Sequence, residues 1–217
     1  APGHLPLEAL PERYAITLAP HLDRGSFDGE ARIGLRVPKP TATLTLDAAD
    51  FTVTRAVVGG DAASIRQDPV AETVTLTFQR PLAAGAATLE IRWHGKLSDK
   101  LSGLYHAESE GRRYAFTDFE PTDARRAFPC FDEPALKARF QMTAVIDKAD
   151  VAVSNAPIVS EKVEGKTKTV RFAETPRLST YLVALAVGPL VESHTMAGKT
   201  PIRVFTTPGK AALDVVY

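Results

Sequence analysis

Apolar and polar residues alternate along most of this chain with a period of two. Tyr14, Ile16 and Leu18 stand among Arg13, Ala15 and Thr17, and Ile33, Leu35 and Val37 among Arg32, Gly34 and Arg36. Leu44 and Leu46 sit among threonines, as do Val74, Leu76 and Phe78, while Leu89, Ile91 and Trp93 alternate with Glu90, Arg92 and His94. Successive side chains of a strand point to opposite faces, so this period predicts strands with one face on a core and one in solvent. Asp23-Arg24-Gly25-Ser26, Gly59-Gly60-Asp61 and Ala84-Gly85 supply turn chemistry between them.

The second half repeats the habit. Strands are expected at 113–117, 139–146, 151–154, 158–164, 167–173, 181–187, 190–194 and 201–206, with Gly165-Lys166 as a tight hairpin. Before Pro208 no segment keeps a 3.6-residue period for more than two turns, so the fold class is all-β. Two places break the pattern. One is Phe116 to Phe140, rich in charge, proline and aromatics; the other is Pro208-Gly209-Lys210 followed by the apolar run Ala211 to Tyr217. A proline ahead of an apolar run fits a beginning helix, and no C-cap glycine closes it. The expected division is therefore a β domain over 1–207 and the start of a linker or helix over 208–217.

Composition narrows the chemistry. The 217 residues suffice for one large β domain. Lys plus Arg and Asp plus Glu both number 26, without a clustered basic footprint, so no nucleic acid is expected as a partner. No apolar run approaches the ~20 residues of a membrane helix, and no membrane partner is expected. Cys130 is the single cysteine, which rules out an internal disulfide and a cysteine-based zinc site; the compartment stays open.

Motifs for hydrolysis are missing. A zincin helix needs His-Glu-x-x-His, and none of His4, His21, His94, His106 or His194 precedes a glutamate. His106-Ala107-Glu108 with Pro129-Cys130 resembles the opening of a zinc deaminase signature, but Glu133 stands where its second cysteine would be. No Gly-x-Ser-x-Gly elbow or phosphate-cradling glycine loop appears. No catalytic residue, metal ligand or cofactor site is expected in this chain.

What remains is the stretch from Tyr114 to Phe140. It reads as a strand ending at Thr117, then a proline-punctuated loop with a short helical turn at 123–127 that Thr122 is placed to cap, Arg125 and Arg126 lying near its end. Asp118, Glu120, Asp123, Asp132 and Glu133 make the loop acidic, with Arg125, Arg126, Lys137 and Arg139 as available partners. For most of these charges a salt-bridged loop pinning two sheets together is the expectation. Glu120 differs: locked between Phe119 and Pro121 just past a strand end, its carboxylate is well held for a cation. Glu120-Pro121 is also the place in this loop where a cis peptide is most accessible.

This stretch closely resembles the acidic-loop signature of the aminopeptidase N family of zinc exopeptidases. The resemblance extends to Leu10-Pro-Glu-Arg-Tyr-Ala-Ile-Thr-Leu18, Phe27-Asp-Gly-Glu30, Glu72-Thr-Val-Thr-Leu-Thr-Phe78, Gly103-Leu-Tyr105, Ser154-Asn-Ala-Pro157, Ser179-Thr-Tyr-Leu-Val-Ala184 and Val187-Gly188. It implies a large saddle-like β-sandwich of antiparallel and mixed sheets, packed on a thermolysin-like catalytic domain that follows in the same polypeptide and carries the zinc. It implies that Glu120 matches the glutamate that binds the free α-amino group of a peptide substrate. Asp118 stands where that family commonly has a glutamine lining the pocket for the first side chain, and a basic or small first residue would suit it. Asp118, Phe119 and Glu120 form the candidate substrate-binding set. The family's Gly-Ala-Met-Glu-Asn segment and zinc helix are not in these residues. A scaffold or binding module of the same fold, without enzymatic partner, is the alternative.

Overall fold

The computed structural model describes residues 4–209; the expected helix start at Ala211 to Tyr217 lies outside them. Alternating segments become strands because each can bury every second side chain while its backbone pairs with a neighbour. In chain order the first nine are β1 (Leu10–His21), β2 (Ser26–Val37), β3 (Thr41–Asp47), β4 (Phe51–Val58), β5 (Asp61–Ala62), β6 (Ser64–Asp68), β7 (Thr73–Leu82), β8 (Gly85–Lys96) and β9 (Gly103–Ser109). The others are β10 (Arg112–Asp118), β11 (Arg139–Asp147), β12 (Val151–Ser154), β13 (Ile158–Glu164), β14 (Thr167–Glu174), β15 (Leu185–Gly188), β16 (Val191–Ala197) and β17 (Thr200–Thr206).

These strands assemble an all-β sandwich. An eight-stranded sheet runs in the order β13-β14-β11-β1-β2-β8-β4-β5, a four-stranded sheet β12-β15-β10-β9, and a three-stranded sheet β3-β7-β6; β16 and β17 form a separate hairpin. The large sheet is mixed, since β1 pairs parallel with β11 and antiparallel with β2. Its inward residues Tyr14, Ile16, Leu18, Ile33, Leu35, Leu89, Ile91 and Trp93 share one apolar cluster with Leu44, Leu46, Val74, Leu76 and Phe78 of the three-stranded sheet. Leu104, Ala115, Leu185 and Val187 bring the four-stranded sheet into the same core.

Two expectations needed correction. The segment expected as a strand over 181–187 opens as a 3₁₀ turn, Thr180–Leu182, and only Leu185–Gly188 pairs as a strand. Side-chain contacts take the place of a ladder here: the Thr180 hydroxyl donates to the buried Asp132 Oδ1 at 2.6 Å, and Asn155 donates to the Leu182 carbonyl at 2.8 Å. The helical turn after Glu120 is a 3₁₀ turn, Ala124–Arg126, preceded by Asp123 and not capped by Thr122. Thr122 faces solvent, while the Asp123 carboxylate accepts from Arg126 Nε at 2.8 Å. The Gly165-Lys166 hairpin forms as expected, Glu164 opposite Thr167, with Gly165 at φ +62°, a conformation glycine adopts without a Cβ clash.

Trp93 ties the large sheet to the acidic loop, its indole Nε1 donating to the Ala127 carbonyl at 2.9 Å. The indole lies across Gly29, where an added Cβ would stand 2.1 Å from Trp93 Cε2. Gly29→Ala is therefore expected to destabilise the domain by about 1–3 kcal/mol through overpacking. Trp93 is the single tryptophan, so urea unfolding followed by its fluorescence reads the effect directly. An unchanged midpoint would show that the indole finds another seat.

Candidate binding site on the acidic loop

β10 delivers the loop to the end of the four-stranded sheet, where Asp118 lies opposite Gly103 and Phe116 opposite Tyr105. Residues 116 and 118 share a face, so Tyr105 and Phe116, with ring centroids 6.0 Å apart, lie on the same side as Asp118. Burial raises the Tyr105 pKa and the charge of Asp118 adds to the rise.

Immediately past the strand the chain turns inward. Phe119 is 2% exposed and meets Phe128 edge to face at 5.8 Å. Of the three expected site residues it is therefore an anchor: the core takes its ring, and no face of the side chain is left for a ligand. The Phe119 carbonyl accepts from Asp123 N–H at 3.0 Å, closing the loop over Glu120. The Glu120–Pro121 peptide is cis. Asp118 and Glu120 are both exposed, and Asp118 Oδ1 accepts a long 3.4 Å bond from Glu120 N–H.

The other loop carboxylates have internal partners. Asp132, 3% exposed, accepts from Arg125 Nε at 3.1 Å and from the Thr180 hydroxyl. Glu133 accepts from Leu5 N–H at 2.9 Å and pairs with His4 at 3.1 Å. Both loop arginines are also committed. Arg125 reaches Asp47 at 3.3 Å and Glu72 at 3.5 Å, and Arg126 reaches Glu72 at 2.6 Å, Asp123 and Asp50. Arg139 leans toward Glu174 at 3.9 Å. Among the described residues the Glu120 carboxylate has no hydrogen bond or ion pair. The salt-bridged reading thus fits Asp123, Asp132, Arg125 and Arg126, and leaves Glu120 out.

Sequence reasoning did not find Asp47, Asp50, Glu72 or Thr180, which arrive from positions far along the chain. Asp47 is the most perturbed of them. Burial raises its pKa to about 6, against the opposing pull of the Asp132 N–H and Arg125. Arg125 stays charged because Asp47 and Asp132 outweigh its own burial. Burial likewise pushes the Cys130 thiol up, leaving an inert core residue. Among the described residues no three His, Cys, Asp or Glu side chains gather as a metal site, and no helix is long and apolar enough to cross a membrane.

Sheet order, core and loop together define an all-β domain that carries an acidic loop at the end of its four-stranded sheet. The chain belongs to the peptidase M1 N-terminal domain family, whose model matches residues 10–182. It is 41% identical to Aminopeptidase M1-D of Oryza sativa subsp. japonica, over 98% of this chain and 26% of that protein. It is 40% identical to Aminopeptidase M1 of Arabidopsis thaliana, over 95% of this chain and 25% of that protein. With Aminopeptidase N of Acetobacter pasteurianus the identity is 39%, over 96% of this chain and 61% of that protein. The chain thus spans about a quarter of the length of these plant relatives.

Proposed function

We propose that this chain is the non-catalytic N-terminal domain of a zinc-dependent aminopeptidase and that Glu120 binds the α-amino group of its peptide substrate. One observation carries the reading: in a loop whose Asp123, Asp132 and Glu133 are engaged by internal partners, the Glu120 carboxylate is exposed and unpartnered on an anchored backbone. A peptide amine has a reference pKa of ~7.7–8.0 and is largely cationic near neutral pH. Pairing it with a fixed carboxylate makes binding depend on an unblocked terminus and sets how far the first peptide bond lies from the reacting centre. Asp118, exposed two residues earlier beside Tyr105, would meet the first side chain and favour a basic or small one; Phe119 supports both by holding the loop.

Among the described residues nothing makes a zinc site. The zinc of the proposed enzyme is assigned to a catalytic domain following in the same polypeptide, beyond a boundary near residue 207. This chain's own contribution is the placement of Glu120 against the substrate amine.

The test is a chimaera of the Oryza Aminopeptidase M1-D in which this chain replaces the matching quarter. It is expected to release chromophore from an amino-acid amide and to leave the N-acetylated amide essentially uncleaved. A folded chimaera without turnover would favour the scaffold reading instead.

A further inference from the structure

We infer that the segment Thr180 to Leu185 is a positioning clamp that grips the Glu120 loop at both ends; the inference rests on the reading of Glu120 as the amine ligand. Glu120 does little to hold itself, since its own amide makes only the 3.4 Å contact to Asp118. Beyond the buried Phe119 beside it and the Phe119 carbonyl that accepts from Asp123 N–H, its placement depends on where the loop enters and leaves.

At the entry, the Thr117 hydroxyl oxygen accepts from Leu185 N–H at 2.9 Å, one residue before Asp118. At the exit, the buried Asp132 carboxylate holds the 3₁₀ turn through Arg125 Nε at 3.1 Å and Arg125 N–H at 3.3 Å, and receives the Thr180 hydroxyl at 2.6 Å. Both grips therefore end on the same short stretch of chain. That stretch is itself fixed. Asn155 donates to the Leu182 carbonyl at 2.8 Å and accepts from Ala184 N–H at 2.7 Å, while the Ser179 hydroxyl donates to the Pro134 carbonyl at 2.7 Å. Thr180 and Val183 are buried, at 1% and 3% exposure, so the clamp rests on the core. A hydroxyl bonded to a buried carboxylate is the kind of contact whose loss is felt locally, because the acceptor stays behind without its donor.

Thr180→Val removes that donor and keeps the branched shape; Thr180→Ser keeps the donor. In the 217-residue chain, the backbone order parameter of the Glu120 amide is expected near ~0.85 in the parent and Thr180→Ser, and to fall toward ~0.6 in Thr180→Val. Amides of the large sheet should not change. In the chimaera, Thr180→Val is expected to raise KM for a free amino-acid amide about tenfold with kcat within about twofold, and Thr180→Ser to restore it. A Thr180→Val protein that folds with an unaltered Glu120 amide and unaltered KM overturns the clamp. If Thr180→Val does not fold, Thr117→Val carries the same two measurements to the other grip. A loosened Glu120 amide with a raised KM then supports the clamp, and no change in either overturns it. Failure of the amine reading shows separately, as a Glu120→Gln chimaera with parental KM.

Discussion

Replacing Glu120 by glutamine in the chimaera is expected to raise KM for unblocked amino-acid amides by at least about 30-fold, with Tm unchanged. Truncating one partner of a close charge pair costs about 2–5 kcal/mol, and the lower end of that range is about 30-fold in affinity. Stability should not follow, because the carboxylate is exposed and has no partner among the described residues whose bond would be lost. The pH dependence gives a second check. KM of the parent chimaera should climb as the substrate amine deprotonates above pH ~8, and the Glu120→Gln profile should be flatter there. A KM that stays at the parental value would remove Glu120 from the site.

Glu120 is open because its neighbours are occupied, and only half of that was legible in the sequence. The carboxylate between Phe119 and Pro121 stood out, as did the arginines five and six residues further on, which could have quenched it. What frees it is the arrival of Asp47, Asp50 and Glu72, which with Asp123 and Asp132 take up both guanidiniums. Those partners depend on strand pairing, and strand pairing is a long-range property. The period of two identified which residues of β1 and β11 face the core. It carried no information that Arg13 would lie beside Arg139 in a parallel ladder. Thr180-Tyr181-Leu182-Val183 shows the converse limit. A β-branched and aromatic run reads as a strand from Tyr181 onward, and bonds to Asp132 and Asn155, both distant in sequence, accompany a turn over Thr180–Leu182 instead.

Arg125→Met is expected to lower stability by about 3–5 kcal/mol, the loss seen when one partner of a buried ion pair is removed. In a domain of this size that is a fall in Tm of about 10 °C. Arg125 is 5% exposed and its guanidinium touches Asp47, Asp132 and Glu72, so methionine would fill the side chain's volume while leaving two buried carboxylates without their cation. The loss should depend on pH, with a sign fixed by Asp47. Its folded pKa is about 6 against a reference of 3.8, raised chiefly by burial. Between those values the native state binds a proton that the unfolded chain does not, so this group's contribution to stability rises as pH falls through 6 and is complete below about 4. Arg125 holds the Asp47 pKa down, so its removal moves that pKa further up and makes the ionised form costlier still. The Tm gap between parent and Arg125→Met should accordingly be widest near pH 8 and narrow toward pH 5. A gap that stays constant across that range would mean that Arg125 contributes packing and not charge, and that the loop carboxylates are neutralised by some other route.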